Sequence, residues 1–296
     1  EFIQLNCGAP DAASAKLGYS IYDKDENRQM LLIREAFKRA SKVLVYRVNG
    51  GAAAKASSEP LTATAKYPGS RGNQLSFTVA ENPVSGFDVQ VNLAGSKVAE
   101  YEGLATVEDL IAQDCPYITF SGSGNLAALA GVNLTGGTDT KFLDSVESVK
   151  FNTLCFPITE AALQSAAKTK IKYMRESMGK GVQVVMPNTV SNDYEGVINV
   201  TNSVVVDEQD LTVAEACAWV AAATAAAKNT DSNTDVAYEG ATAVVGTKSH
   251  EEAVAATNNG EFFFSISEAG AVVVEYDINS LTSFANGKDK TYRKNR

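Results

Sequence analysis

The sequence is poor in the residues on which many enzymes and metal sites depend. His250 is its one histidine, and none of its four cysteines is part of a Cys-x-x-Cys pair, so most zinc and haem sites are excluded. No apolar run approaches the roughly 20 residues that cross a bilayer, so no membrane anchor is expected. Lys and Arg number 26 against 35 Asp and Glu, which gives a net charge of −9. That balance argues against a generic binder of nucleic acids or anionic membranes, since both require dense positive charge.

The cysteines are far apart in the sequence. This spacing favours buried free thiols in a reducing compartment over a disulfide framework. The four are Cys7, Cys115, Cys155 and Cys217. The chain is 45% hydrophobic and 21% charged, as is ordinary for a soluble globular protein, and 296 residues predict about two domains.

The chain opens with a pattern typical of an α/β layer. Apolar residues recur at helical spacing after Asp25, and a β-branched run from Lys42 to Val48 follows them. Gly50 and Gly51 end that run. Small and polar residues at 52–60 then predict a linker.

A different pattern occupies the middle of the chain. Residues 75–79 and 87–93 alternate between apolar and polar side chains, as strands with one solvated face do. Thr106 predicts the start of a short helix, because its hydroxyl can cap the amide near Asp109. We therefore interpret residues 57–137 as an inserted β-rich domain.

The α/β pattern resumes after the insertion. It predicts a strand over 149–156, a helix over 160–178 and a strand over 182–186, an order that requires a parallel pair of strands. Thr159 is the expected N-cap of this helix, and Gly179 can take the left-handed conformation that ends helices.

The last third of the chain carries clear helix-start signals. Thr212–Glu215 and Ser249–Glu252 both match a capping box. Residues 197–206 predict one or two strands, and residues 262–266 and 271–278 predict a β-hairpin.

These elements predict an α/β fold with α+β character. Residues 1–56 and 138–296 would form a discontinuous main domain with a mixed sheet and flanking helices. The β-rich segment would be inserted into that domain.

One glycine-rich string matches a nucleotide-binding motif. Residues 122–127, Gly-Ser-Gly-Asn-Leu-Ala, have the GxGxxA form of a dinucleotide loop. The helix that follows would end at Gly131, and no acidic residue follows at the required distance, which favours a plain surface turn. An α/β enzyme that binds a small ligand at Gly122–Gly131 is the alternative function, and thermal shifts with nucleotides and sugars would detect it.

No catalytic, cofactor or metal residue is assigned. His250 follows the expected N-cap Ser249, which favours a solvated histidine at a helix start, although a Ser-His-Asp triad stays open because its members would meet only in the fold. The Phe262–Phe264 run favours a buried strand over a ligand slot. A carbohydrate-binding module on the β-rich segment is disfavoured, since the single tryptophan, Trp219, is predicted to lie on a buried helix.

Several strings of residues occur in the order that one family shows. The most specific is Lys-Tyr-Pro-Gly-Ser-Arg-Gly-Asn at residues 66–73. Supporting strings lie at residues 134–139, 151–154, 195–200, 212–221 and 276–282. This series resembles the tail sheath proteins of contractile-tailed bacteriophages, particularly those of prophages in Gram-positive bacteria.

The resemblance implies a non-enzymatic subunit that uses no cofactor. Such subunits polymerise around a tail tube and contract to drive the tube through the target envelope. The implied partners are other sheath subunits, the tail tube and baseplate proteins, with no nucleic acid among them. The implied location is the virion tail sheath, assembled in the cytoplasm of the host bacterium.

The resemblance also indicates a structural turn at the start of the inserted domain. Its Pro and Gly residues would set the backbone, while its Arg and Asn would tie the turn down. A binding site at the same residues is the weaker alternative. The residues concerned are Tyr67, Pro68, Gly69, Arg71, Gly72, Asn73, Gly136 and Gly137.

The two ends of the chain depart from the family pattern. The chain begins Glu-Phe-Ile-Gln without Met or a secretory signal, and it stops at Arg296. Family members usually carry an N-terminal arm before this region and a C-terminal domain after it. We therefore expect a processed product or a cloned fragment that is mostly monomeric in dilute solution.

Overall fold

The chain forms two compact units. The computed structural model describes residues 2–22, 28–46, 48, 51–138, 142–190, 192–228, 230–284 and 287–295. Residues 1–2 and 46–142 form the first unit, and residues 3–45 and 143–296 form the second. We call them the β unit and the α/β unit. The narrower limits 57–137 for the insertion stay a prediction.

The chain begins with two strands that pair and two helices. They are β1 (Phe2–Asn6), α1 (Pro10–Leu17), α2 (Gln29–Phe37) and β2 (Lys42–Tyr46). The apolar side chains of Leu31 and Ile33 on α2 are buried. The predicted helix and strand are thus confirmed, although Asp25 and Gly50 lie outside the described residues.

Two antiparallel sheets make up the β unit. Their elements are β3 (Lys55–Ser58), β4 (Leu61–Ala65), β5 (Leu75–Glu81), β6 (Phe87–Leu93), β7 (Ser96–Leu104), α3 (Val107–Ile111), β8 (Ile118–Gly122) and β9 (Leu129–Asn133). One sheet has the order β3-β4-β8 and the other has the order β7-β6-β5-β9. Buried side chains from both sheets form one hydrophobic core.

The predicted alternation along β5 is confirmed. Leu75, Phe77 and Val79 are buried, and the residues between them are partly exposed. The ring of Phe77 meets that of Phe120 edge to face, with centroids 5.4 Å apart. Alternation works as a predictor here because one face of the sheet packs on the core.

The linker predicted at residues 52–60 is wrong, since β3 lies within it. Lys55–Ser58 has little intrinsic preference for a strand, but it pairs with β4 in a regular antiparallel register. Tertiary pairing therefore overrides local propensity.

The capping signal at Thr106 is confirmed, because its hydroxyl accepts a hydrogen bond from the amide of Asp109 at 3.2 Å.

The α/β unit is built on a parallel sheet. Its elements after the β unit are α4 (Phe142–Ser145), β10 (Thr153–Cys155), α5 (Ala161–Glu176), β11 (Gln183–Pro187), β12 (Val197–Val200), β13 (Ser203–Val206), β14 (Gln209–Asp210), α6 (Val213–Ala226), β15 (Ala241–Val245), α7 (His250–Asn258), β16 (Glu261–Phe262), β17 (Phe264–Ile266) and β18 (Val272–Val274). The parallel strands have the order β10-β11-β12-β16. The predicted strand–helix–strand arrangement of β10, α5 and β11 is confirmed.

The expected N-cap of α5 is wrong. Glu160 is the N-cap instead of Thr159, and it makes no side-chain capping bond. Glu160 has the extended backbone of an N-cap, with φ −68° and ψ 117°, so the helix begins one residue later than expected. Gly179 takes a φ of +68°, as predicted for the end of this helix.

Helix α6 is central to the core of the α/β unit. The ring of Trp219 is fully buried and stacks on that of Tyr238, with centroids 4.5 Å apart. Ala218 and Ala222 pack against Ala36 of α2, because such small side chains allow helices to approach closely. Both predicted capping boxes, at Thr212 on α6 and Ser249 on α7, are confirmed.

The aromatic run at 262–264 is divided between two sheets. Phe262 pairs in parallel with Val200, whereas Phe264 pairs antiparallel with Val274 in the predicted hairpin. Phe262, Phe263 and Phe264 are all buried, which confirms a buried strand at this run.

The expectation of buried thiols holds only in part. All four cysteines are free; Cys115 and Cys217 are buried, and Cys155 is half-buried. Cys7 is exposed, because it lies in the turn that follows β1 instead of on a packed element.

Candidate functional site in the β unit

The residues with the most specific sequence signal lie in one loop between β4 and β5. The Tyr67–Asn73 loop contains a short 3-10 turn over Ser70–Gln74. Gly69 precedes this turn with a φ of +126°, in the region that favours glycine. The amide of Gly72 donates to the carbonyl of Gly69 at 3.1 Å and closes the turn.

The Asn73 side chain ties the loop to the segment that leaves the β unit. Its Nδ2 donates to the carbonyl of Gly137 at 2.9 Å, and its Oδ1 accepts from the amide of Gly137 at 2.8 Å. One side-chain amide thus replaces a pair of backbone hydrogen bonds. That Asn73 ties down the turn stays a prediction, which these two hydrogen bonds support.

The incoming and outgoing segments of the β unit also bind each other. The backbones of Lys55 and Thr135 exchange two hydrogen bonds, at 2.8 and 3.0 Å. The carbonyl of Ala52 accepts from the amides of Thr138 at 3.0 Å and Gly69 at 3.1 Å. We call residues 51–55 and 135–138 the neck of the β unit, and the Tyr67–Asn73 loop is fastened to both of its segments.

Two glycines leave no space for a side chain at the neck. A Cβ added to Gly72 would lie 2.9 Å from Cβ of Ala54 and 3.0 Å from Cβ of Ala65. A Cβ on Gly137 would lie 2.4 Å from the carbonyl oxygen of Gly69. The requirement for glycine at both positions is therefore steric. Gly136 differs, since it has open space around it and a φ of +80°.

Tyr67 and Arg71 take no part in this fastening. The Tyr67 side chain is 58% exposed, and Arg71 is also exposed. Within the described part of the chain, the Arg71 guanidinium makes no hydrogen bond or ion pair. The expectation that Arg71 ties the turn down is therefore not met.

The Gly122–Gly131 loop lacks the geometry of a dinucleotide site. It connects β8 to β9, so a strand follows the glycines where a nucleotide loop would start a helix. A Cβ on Gly122 would lie 2.1 Å from the carbonyl oxygen of Pro60. This glycine is needed for backbone packing within the β unit.

The carboxyl edge of the parallel sheet also lacks the features of a ligand site. Its strands follow one another in sequence order, so the described sheet has no switch point of the kind where α/β enzymes bind ligands. The amide of Asn199 bonds the backbone of Thr189 through both Oδ1 and Nδ2, at 2.8 and 3.0 Å. Gln164 donates to the carbonyls of Ile158 and Pro187, at 2.8 Å each. These two side-chain amides thus make hydrogen bonds to backbone groups at the ends of the strands.

The other residues considered for chemistry are scattered. His250 is exposed in the first turn of α7, where Ser249 and Glu252 form the cap. No cluster of three or more His, Cys, Asp or Glu residues suited to a metal ion occurs within the described ranges. The helices in the described part of the chain are all too short or too polar to span a bilayer.

Sequence reasoning missed a buried ionic network on α2. Glu35 is fully buried, and its carboxylate accepts from the Tyr238 hydroxyl at 2.7 Å. It also contacts Arg34 Nε at 3.0 Å and Lys38 Nζ at 2.7 Å. Burial, together with the charge of Glu35, raises the pKa of Tyr238 well above its usual value, so the phenol stays protonated. The sequence did carry one signal for this network. Glu35 lies four residues after Leu31, and residues four apart lie on the same face of a helix, so Glu35 shares the face of the buried Leu31.

A cleft of about 500 Å³ lies beside this network. Residues that line it include Cys7, Tyr22, Arg34, Phe37, Lys38 and Asp207. Arg34 is paired with Asp207 at 3.2 Å, and the Cys7 thiol faces the carbonyl of Phe37 at 3.6 Å. His250 is not among the described lining residues, so the thiol lacks the imidazole base that commonly activates a cysteine.

Comparisons with known proteins match three regions of the chain to family models of phage tail sheath proteins. Residues 122–280 match the phage tail sheath protein central domain, and residues 49–139 match the phage tail sheath protein beta-sandwich domain. Residues 1–48 match the tail sheath protein Gp18 domain III N-terminal region.

Individual relatives agree with these matches. The phage-like element PBSX protein XkdK of Bacillus subtilis is 36% identical over 313 residues, an alignment that covers 95% of this chain and 66% of that protein. The sheath tail protein structure from Desulfitobacterium hafniense has a TM-score of 0.66 and 38% identity, over all of this chain and 71% of that one. The sheath tail protein Lin1278 structure from Listeria innocua has a TM-score of 0.65 and 36% identity, over all of this chain and 69% of that one. The chain thus spans just under two thirds of its Bacillus relative.

Proposed function

The chain belongs to the phage tail sheath protein family, and we propose on this basis that it is a structural subunit of a contractile sheath. The sheath would surround the tail tube of a phage or a phage-tail-like particle. The observation that carries the proposal is the match of three sheath regions, which together reach from residue 1 to residue 280. The subunit would act by its shape and contacts, without a catalytic group.

The proposed partners are other sheath subunits, the tail tube and baseplate proteins. Assembly would take place in the cytoplasm of the host bacterium, and the finished sheath would be part of the virion tail. Contraction would exchange one packing of subunits for another and drive the tube through the target envelope. Such an exchange needs domains that keep their own shape. A separate hydrophobic core in each unit supports this role.

The Tyr67–Asn73 loop would serve as a clasp for the β unit. Asn73 and the glycines Gly72 and Gly137 support this proposal, because they fasten the loop to the neck and leave no free volume there. The domain limits are a separate proposal, in which residues 1–56 and 138–296 form the main domain. The insertion would comprise residues 57–137, and the clasp would hold its two ends together.

Electron microscopy and thermal shifts test the proposed function together. The full-length protein should form tubes of stacked rings, and nucleotides and sugars should leave its melting temperature unchanged. Subunits that never assemble, with a melting temperature raised by one of these small molecules, would instead indicate a ligand-binding protein, because a ligand of the folded state must stabilise it.

A further inference from the structure

The clasp leaves two of its side chains without a role. Tyr67 and Arg71 both belong to the Tyr67–Asn73 loop, both are exposed, and neither contributes to the bonds that fasten it. Tyr and Arg are the residue types, with Trp, that most often dominate the binding energy of protein interfaces. These two side chains, which we call the Tyr67–Arg71 surface, therefore need a separate explanation.

Arg71 differs from the other described arginines. Each of the others has a partner inside the chain. Those pairs are Arg28 with Glu215, Arg34 with Glu35, Arg39 with Glu239, Arg175 with Glu195, and Arg293 with the carbonyls of Thr257 and Asn258. Lys66, next to the surface, is also paired, with Asp114 at 3.0 Å. Within the described residues, Arg71 is thus the arginine whose charge is free to bind an external carboxylate.

The backbone beneath the surface is already ordered. The Lys66 amide donates to the carbonyl of Tyr117 at 2.9 Å, and Asn73 is bonded twice to Gly137 at the other end of the loop. A rigid loop loses little conformational entropy when it binds a partner. The Tyr67–Arg71 surface is therefore preorganised for binding.

The net charge indicates which partner fits. With 26 basic and 35 acidic residues, two copies of the chain repel each other at long range. Charge complementarity then favours a contact in which an unpaired cation of one copy faces carboxylates of the other. We infer that the Tyr67–Arg71 surface binds a carboxylate-bearing surface of a second copy of this chain in the assembled sheath. This inference rests on the proposed function, and a contact between different surfaces of two copies is the kind that builds open helical polymers.

The test measures the critical concentration for sheath assembly of the full-length protein by sedimentation, with electron microscopy to confirm the tubes. Arg71→Ala and Tyr67→Ala are each expected to raise it about tenfold, as the truncation of an interface hot spot does. Arg71→Lys should give an intermediate value, because Lys keeps the charge without the planar fork. Lys97→Ala is the matched control, since Lys97 is a cation of the same unit that is paired with Glu100 at 2.7 Å.

Three results would overturn the inference. If Arg71→Ala and Tyr67→Ala assemble like Lys97→Ala while the native protein forms tubes, the surface is not a contact between copies, and the proposed function stands. If Arg71→Ala lowers the melting temperature of the unassembled full-length subunit but not that of the 296-residue chain, another part of the same subunit covers the surface. If the native full-length protein forms no tubes under any condition, the proposed function fails and the inference fails with it.

Discussion

The two units of the molecule stabilise their polar groups in opposite ways. In the α/β unit, Glu35 and Arg34 are buried and hold each other within the core. In the β unit, the described ion pairs, Lys66–Asp114 and Lys97–Glu100, lie at the surface, and an uncharged side chain, that of Asn73, fastens the neck. The α/β unit should thus be sensitive to the loss of a charge. The β unit should be sensitive to added volume at its glycines.

The largest effect is expected for Glu35→Ala. The change removes the buried carboxylate that pairs with Arg34 and accepts from the Tyr238 hydroxyl, and it leaves Arg34 paired with the exposed Asp207, so the free energy of unfolding of the α/β unit should fall by about 3–5 kcal/mol. Trp219 is the single tryptophan and lies in this unit, so its fluorescence during urea unfolding reports the change. The exposed Glu176→Ala serves as the control. A loss below about 1 kcal/mol for Glu35→Ala would show that the network contributes little.

Gly72→Val tests the opposite sensitivity in the β unit. The new side chain would collide with Ala54 and Ala65, and such overpacking should lower the free energy of unfolding by about 1–3 kcal/mol. Gly181→Val is the matched control, because a Cβ there meets nothing within 4 Å. Hydrogen exchange read by mass spectrometry should show faster exchange at β5 and β9. Unchanged exchange and an unchanged melting temperature would argue against the clasp.

A smaller effect is expected for Asn73→Ala. Its two hydrogen bonds to Gly137 are partly solvated, so their loss should lower the free energy of unfolding by about 1–2 kcal/mol. Asn73→Asp keeps the acceptor for the Gly137 amide and loses the donor, and it should lie between alanine and the native protein. Thermal unfolding of the three proteins gives the order. Equal melting temperatures for all three would mean that the glycines alone fasten the neck.

The smallest effect concerns acid stability. Burial acts to raise the pKa of Glu215, but hydrogen bonds from Arg28 and the Thr212 cap outweigh it, and the net shift is downward. Because the folded pKa is lowered, this carboxylate stabilises the fold above its unfolded pKa of about 4.3, and that stability is lost as the pH falls below this value. Glu215→Gln should therefore flatten the decline in melting temperature as the pH falls below about 4.3.

A matching change in the β unit completes the pH experiment. Asp109 is also held by a cap, through the hydroxyl and amide of Thr106, and its pKa is lowered. This carboxylate is exposed, so solvent screens it, and Asp109→Asn should alter the acid profile less than Glu215→Gln. A larger change in the acid profile for Asp109→Asn than for Glu215→Gln would contradict the expected difference between an exposed cap and a buried one.

Local signals in the sequence were enough to predict several of the regular elements. The alternation at 75–79 and the capping boxes at Thr212 and Ser249 depend on residues within a few positions of each other, and all three are confirmed. Strand β3 was missed because its pairing with β4 is tertiary. The Glu35 network was missed because its partner Tyr238 lies 203 residues away.

The Tyr67–Asn73 loop could likewise be predicted only where the signal is local in the sequence. Its glycines could be predicted to form a turn, since their residue type and spacing carry that signal. The bond from Asn73 to Gly137 joins positions 64 residues apart, and only the resemblance brought them together beforehand. Exposure cannot be read from one sequence, so Arg71 was expected to tie down a turn to which its side chain adds no hydrogen bond or ion pair within the described residues.

Electron microscopy of the full-length protein mixed with a phage tail tube tests the proposed sheath function most directly. We expect stacked rings of subunits around each tube, with the β and α/β units of this fold recognisable in the reconstructed density. Bare tubes beside a protein that stays monomeric at every concentration would contradict it.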